Sequence, residues 1–245
     1  MDRLIYTAVS GMADSMIRQR AIASNLANAQ TIGFRAETFE SAPVTIKGQA
    51  LEARAMVTTG VLGADMSAGA IIETGNPLDV AINGEALLTV QAMDGTEAYT
   101  RRGDFSISAS GALVNGDGRP VMGSGGPITV PLDTDVSIGP DGSVLVRERE
   151  NPELPPQAVD KLKLVSPQGS PVAKGTDGLF RVRGGGVLPV DEAAQVQSGA
   201  LEQSNVNATQ ILVEMVEAQR LFDMRTKLIS TAREIDEGGA NLMRI

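Results

Sequence analysis

The sequence predicts an α+β fold in which a long helix at each end of the chain flanks a central, hairpin-rich all-β region. Near both ends, apolar residues recur every three or four positions, which is typical of amphipathic helices. Between the ends, Asn-Gly and Asp-Gly pairs separate short segments rich in β-branched residues, which is the pattern of β-hairpins. The predicted order of elements is therefore a helix, a central β region and a second helix.

The N-terminal helix carries one apolar stripe, in which Gln19 is the single polar member. Its apolar members follow alternating steps of four and three residues: Ile5, Val9, Met12, Met16, Ala23 and Leu26. Gly11 lies inside this helix at a cost of about 1 kcal/mol relative to Ala. Such a glycine indicates either the close approach of a neighbouring element or a slight bend.

The C-terminal helix carries two apolar stripes. The first is interrupted by Arg225 and consists of Ile211, Met215, Ala218, Phe222, Ile229 and Ala232. The second lies beside it and consists of Leu221, Met224, Leu228 and Ile235. Ser204 or Asn205 is expected to cap the start of this helix, and Gly238 and Gly239 are expected to end or fray it.

The central region is predicted from its turns. Asn-Gly pairs begin at 83 and 115, and Asp-Gly pairs begin at 94, 117, 141 and 177. Segments 105–114 and 136–146 resemble each other, and each predicts a strand, a glycine-containing turn and a second strand. Segment 147–157 is charged and proline-rich and predicts an exposed loop.

Composition disfavours several classes of function. The net charge of −9 disfavours binding to nucleic acid and to anionic membrane surfaces. The absence of Cys and His removes thiolate catalysis, Cys/His zinc sites and the commonest general base. No apolar run exceeds three residues, so neither membrane insertion nor a cleaved secretory signal is predicted. No pair of carboxylates or glycine-rich loop stands out, and we predict no enzyme activity, catalytic residue, cofactor or metal.

The terminal helices need a partner, because an isolated amphipathic helix is marginal in water. They could pack on each other, on the β region or on other copies of the chain. Packing on each other would bury one stripe per helix and leave the second C-terminal stripe exposed, which favours contacts between molecules.

Five segments resemble the bacterial flagellar rod and hook protein family. Segment 23–36, ASNLANAQTIGFRA, resembles its N-terminal signature. Segments 74–90 and 99–123 are similar to its shared β region, and segments 199–207 and 214–232 to its C-terminal signature. These matches are spread over the chain from residue 23 to residue 232, in the order found in the family.

The resemblance implies a structural subunit of the flagellar basal-body rod. It implies that the terminal helices, residues 1–36 and 200–245, pair as a coiled-coil-like inner domain. A connecting segment, 37–73, would lead to an outer β domain, 74–199. The subunit interface would involve Ile5, Val9, Met12, Met16, Ala23, Leu26, Ile211, Met215, Ala218, Phe222 and Ile229. The joint where the first helix ends would involve Asn25, Leu26, Asn28, Thr31, Gly33 and Phe34.

The resemblance also implies partners and a location. The partners would be copies of this chain, the inner proximal rod and distal rod subunits, and the flagellar type III export apparatus. The chain would be exported without cleavage of a signal peptide into the rod that spans the periplasm. Chain length and the short, Ala-rich segment 37–70 favour the proximal rod, with the distal rod as the alternative. A secreted β-rich binding module or hydrolase, its terminal helices forming a private stalk, is a second alternative.

Overall fold

The computed structural model describes residues 2–46, 54–149 and 153–242. Over these residues the chain forms the predicted mixture of helix and strand, with the helices α1 (Asp2–Ala27) and α2 (Ala208–Leu242) at its ends. The strands are β1 (Glu37–Ile46), β2 (Arg54–Ala64), β3 (Ile71–Glu73), β4 (Val80–Ile82), β5 (Leu87–Gln91), β6 (Glu97–Thr100), β7 (Phe105–Ile107), β8 (Leu113–Asn115), β9 (Thr134–Ile138), β10 (Ser143–Glu148), β11 (Gln157–Lys161), β12 (Leu164–Val165), β13 (Val172–Lys174), β14 (Phe180–Val182), β15 (Val196–Ser198) and β16 (Ala200–Glu202).

The chain divides into two compact units. The helical unit comprises Met1–Ala27, Glu37–Gly63 and Asn207–Ile245, and the β unit comprises Asn28–Ala36 and Ala64–Val206. These bounds differ from the predicted domains at the joint, because residues 28–36 and 200–206 group with the strands. Much of the predicted connecting segment is structured, since β1 and β2 pair as a two-stranded sheet.

Helix α2 begins and ends elsewhere than predicted. Asn207 caps it, since its Oδ1 accepts hydrogen bonds from the backbone N–H groups of Thr209 (3.1 Å) and Gln210 (3.2 Å). The prediction of Ser204 or Asn205 as the cap was therefore wrong. The expected stop at Gly238 and Gly239 was also wrong, because the helix continues through both to Leu242. A glycine costs a helix about 1 kcal/mol, which weakens the last turns without ending them.

The β unit is a set of hairpins around a mostly aliphatic core. Its largest sheet has the strand order β12-β5-β6-β14-β13, and a second sheet has the order β11-β10-β9. The two segments of similar sequence do form hairpins, β7 with β8 and β9 with β10, which confirms that prediction. Buried aliphatic side chains from many strands, such as Val80, Leu88, Leu113 and Val144, form the main hydrophobic cluster.

Two short strands of the β unit precede α2 in the chain. Strand β16 pairs antiparallel with β3, so that Ala200 lies opposite Glu73 and Glu202 opposite Ile71. Strand β15 pairs in the same way with β4. These pairings fix residues 196–202 to the β unit just before α2 begins. Among the described residues, neither helix is long and apolar enough to cross a membrane.

Candidate functional site: helix faces and the joint

The predicted apolar stripe of α1 lies mainly on its exposed side. Val9 is 53 % exposed and Met16 is 61 % exposed, and Ala23 is also exposed. Met12 and Leu26 are half-buried, and the side chain of Ile5 lies outside the described residues. The buried side of α1 instead carries Gly11, Ser15, Ala21, Ile22 and Asn25. The residues of the stripe do lie in a helix, but their apolar character did not mark the side that packs within the chain.

The two stripes of α2 behave differently. In the first stripe, Ile211 and Ala218 are buried, and Met215, Phe222 and Ile229 are half-buried. The opposite side forms what we call the outer face of α2, six apolar side chains that are each at least 48 % exposed: Leu212, Val213, Val216, Met224, Leu228 and Ile235. The predicted second stripe was thus part of a longer exposed face, although Leu221 is half-buried.

At the end of α1, two asparagines satisfy backbone and side-chain groups. The side chain of Asn25 acts as a strand partner for Glu37, accepting from its N–H (2.7 Å) and donating to its carbonyl (3.1 Å). Asn28 accepts hydrogen bonds from Thr31, at its carbonyl from the backbone N–H and at Oδ1 from the hydroxyl, both at 3.1 Å. These bonds stabilise the turns that follow the end of α1.

Gly33 meets two requirements at the joint. Its φ of 67° lies in the left-handed region that favours glycine. A Cβ atom at this position would lie 2.5 Å from the carbonyl carbon of Arg101, so the two backbones are in direct contact. Its N–H donates to the carbonyl of Glu202 at 2.8 Å. The next residue, Phe34, is buried, and the Lys174 ammonium lies 3.3 Å from the centre of its ring.

Replacing Gly33 with Ala is expected to destabilise the β unit by at least about 2 kcal/mol, because strained backbone and close packing add up. Gly118→Ala is the matched control, since Gly118 has a φ of 73° but nothing within 4 Å of the added Cβ. It should lose only about 1 kcal/mol in urea unfolding. Equal losses in the two variants would mean that contact with Arg101 does not explain the glycine.

A buried ion triad lies directly beside this turn. Glu202 receives Arg35 Nη1 on Oε1 (2.7 Å) and Arg101 Nε on Oε2 (2.8 Å), and all three side chains are at most 2 % exposed. The Gly69 N–H also donates to Glu202 Oε1 at 2.8 Å. Burial lowers the pKa of Arg35, and the charge of Glu202 opposes this shift. The triad carries one net positive charge, so its remaining donors need further acceptors.

Main-chain carbonyl groups supply acceptors for several of those donors, whereas the buried Arg35 Nε has no hydrogen-bond partner among the described residues. Arg101 donates to the carbonyls of Ile82 (2.8 Å), Gly84 (2.9 Å) and Ala86 (2.6 Å), and Arg35 donates to the carbonyl of Ser67. Because the guanidinium of arginine presents a planar fork of donors, one side chain can hold several loops at once. The triad therefore joins the joint, the β4–β5 connection and β16.

Asn205 binds the same region from the other side. Its Nδ2 donates to the carbonyls of Asp65 (2.9 Å) and Ser67 (3.1 Å), and its Oδ1 accepts from the Ala36 N–H (2.7 Å). Residues 36, 65 and 205 lie within two residues of three places where the chain passes between the two units. The Asn205 side chain thus links these three places of the chain by hydrogen bonds. Because its polar atoms are engaged in these bonds, it does not cap α2.

Sequence reasoning missed Arg35, Arg101, Glu202 and Asn205 as site residues. All four lie in the segments that carry the family resemblance, GFRA, YTRRGDF and GALEQSN. The chain also contains an Arg-Gly-Asp triplet at 102–104, and its charges are paired within the chain, since Arg102 lies 2.8 Å from Asp104 and 2.6 Å from Asp117. Among the described residues, no group of three or more Asp or Glu side chains is placed to hold a metal ion.

Comparison with known proteins places similarity along the same segments. Three family models match: Flagella basal body rod protein at residues 5–35, Flagellar hook protein FlgE/F/G D1 domain at 81–146, and Flagellar basal body rod FlgEFG protein C-terminal at 197–242. The chain is 40 % identical to the flagellar basal-body rod protein FlgF of Salmonella typhimurium and to that of Escherichia coli, over 98 % of each chain. It is 32 % identical to the rod protein FlgG of Bacillus subtilis over the full length of both.

Proposed function

Because this chain belongs to the family of flagellar basal-body rod proteins, we propose that it is a structural subunit of the bacterial flagellar rod. The observation that carries the proposal is full-length similarity, since 98 % of the chain aligns with 98 % of two rod proteins. The similarity includes both terminal helices and the β unit. The role is mechanical, with no catalytic step.

A proximal position in the rod is favoured over a distal one. Identity is 40 % with the FlgF proteins of Salmonella typhimurium and Escherichia coli but 32 % with FlgG of Bacillus subtilis. In this position the subunit stacks helically between the inner rod and the distal rod and transmits torque from the motor. Its partners are copies of itself, neighbouring rod subunits and the flagellar export apparatus, and it reaches the rod without cleavage of a signal peptide.

The exposed helix faces support assembly through the helical unit. We propose that α1 and α2 of the same subunit pair with each other in a coiled-coil-like manner. The outer face of α2 and the exposed stripe of α1, which includes Val9 and Met16, then remain for neighbouring copies. Burying the exposed half of one such side chain contributes about 1 kcal/mol, so the six of the outer face contribute several. A subunit in a helical array makes such contacts repeatedly.

Deleting the coding sequence in the bacterium of origin tests the rod assignment. Electron microscopy of isolated basal bodies is expected to show rods that stop short and carry no hook, and swimming in soft agar should be lost. Expression of the intact chain from a plasmid should restore both. Complete, hook-bearing basal bodies in the deletion strain would refute the proposed function.

Hydrogen exchange of the free chain tests the role of the helix faces. Amides of α1 and α2 are expected to exchange faster than those of the β unit, because the exposed stripes lack their partners in a monomer. The measurement requires a sample shown to be monomeric by light scattering. Equal protection in the helices and in strands β5 and β6 would remove the physical reason for intersubunit packing of the helices.

A further inference from the structure

Two irregularities of the helices lie against each other in the structure. Arg225 is the charged residue that interrupts the first stripe of α2, and Gly11 is the one glycine in α1. The Arg225 guanidinium packs on Gly11, where an added Cβ would lie 3.5 Å from Cζ. A side chain longer than that of alanine would occupy the space of the guanidinium. The absence of a side chain at Gly11 in α1 thus leaves space for the guanidinium of Arg225 in α2.

The same guanidinium is held by hydrogen bonds to α1. Arg225 Nη1 donates to the carbonyl of Gly11 and to the hydroxyl of Ser15, and it lies 3.5 Å from Asp14 Oδ2. Arg225 is 25 % exposed, Asp14 is 12 % exposed and Ser15 is buried. Charged hydrogen bonds in such a partly buried place depend strongly on geometry.

These acceptors occur together at one place along α1. The helix contains two carboxylates, Asp2 and Asp14, and only Asp14 has the glycine beside it. A shift of one turn toward the end of α1 would bring Arg225 opposite Arg18, a like charge. A shift in the other direction would place it near Thr7 and Ser10, away from any carboxylate. Apolar stripes alone would allow either shift. In a helix pair, a polar residue at the interface is what specifies the register.

We propose that Arg225 and the Gly11–Asp14–Ser15 pocket set the axial register in which α2 pairs with α1. The inference rests on the helix pairing within the proposed function and adds the residue that positions it. A correct register matters for a rod subunit because it determines which exposed side chains of the two helices stand side by side.

The absence of cysteine in the chain allows a direct measurement of register. Ala13→Cys and Gln219→Cys, at exposed positions of α1 and α2, carry spin labels, and labelled protein is diluted with unlabelled protein. Pulsed electron spin resonance of the parent should give a single narrow distance. Arg225→Met and Gly11→Leu should each add a second distance, because an alternative register displaces one label along the helix axis by about one helical turn, ~5.4 Å. Gly11→Ala and the exposed Arg220→Met are the controls and should match the parent.

The outcomes separate the register from the pairing. A single parental distance in both Arg225→Met and Gly11→Leu would overturn the register inference and leave the proposed function intact. A parent without any defined distance would count against the helix pairing itself. Loss of helical circular dichroism in Arg225→Met would also overturn the inference, because the residue would then sustain the pairing as such and not its register.

Discussion

Glu202→Gln is expected to lower the melting temperature of the protein by roughly 10 °C. Removing the negative charge leaves Arg35 and Arg101 buried without a counter-ion, and breaking a buried pair in this way costs about 3–5 kcal/mol. Gln keeps the shape of the side chain, so packing changes little. Its amide group also places two donors opposite guanidinium groups that already donate. Differential scanning calorimetry measures the loss.

Glu73→Gln is the matched control, because Glu73 lies on β3, the strand that pairs with β16, and is exposed. It should change stability by no more than about 0.5 kcal/mol. If the Glu202→Gln and Glu73→Gln variants have the same melting temperature, the triad does not stabilise the joint. Replacing all three triad residues by apolar ones should not rescue stability, since the carbonyls of Ile82, Gly84 and Ala86 would lose their donors.

The helices and hairpins could be predicted because their signals are local. An apolar period of three to four residues reports a helix whatever the rest of the chain does. The turns were similarly accessible, since Gly84, Gly95, Gly118, Gly142 and Gly178 follow Asn or Asp and all have positive φ. The mixture of helices and hairpins therefore followed from short windows of sequence.

The triad could not be predicted, because its members meet only in the folded chain. Arg101 and Glu202 are 101 residues apart, and Asn205 reaches Ala36 across 169 residues. The error in the α2 cap has the same origin. Asn205 and Asn207 are equally competent caps in isolation, and long-range bonds to Asp65 and Ser67 commit the first of them elsewhere.

Helix faces are an intermediate case. Periodicity identified the stripe of α1 but not which partner it meets, and Val9 and Met16 remain exposed while Ser15 and Asn25 are buried. The buried polar residues of α1 have hydrogen-bond partners, since Ser15 accepts from Arg225 and Asn25 bonds to Glu37, so a side of α1 with polar residues can pack inward. In a chain that we propose assembles with copies of itself, an apolar stripe therefore does not identify the side of a helix that packs within the chain.

Leu228→Asp on the outer face of α2 is expected to abolish swimming while the melting curve of the monomer stays unchanged. Leu228 is 66 % exposed, so a carboxylate there remains hydrated in the free chain. In an assembled rod the same group would be buried, and the loss of apolar contact and the desolvation of the charge would cost about 3 kcal/mol or more. That is about a hundredfold in each association constant. Soft-agar swimming and calorimetry measure the two effects.

Two further variants make this result decisive. Thr226→Asp introduces the same group at an exposed position whose neighbours one turn away, Phe222 and Ser230, are not part of the outer face, and this variant should swim normally. Ala218→Asp introduces it at a side chain that is 4 % exposed, and it should destabilise the monomer as well as prevent swimming. If Leu228→Asp also lowered the melting temperature, its surface would be part of the chain's own core. Normal swimming of Leu228→Asp with an unchanged melting curve would show that the outer face makes no contact in the rod, because a charge cannot be buried there without cost.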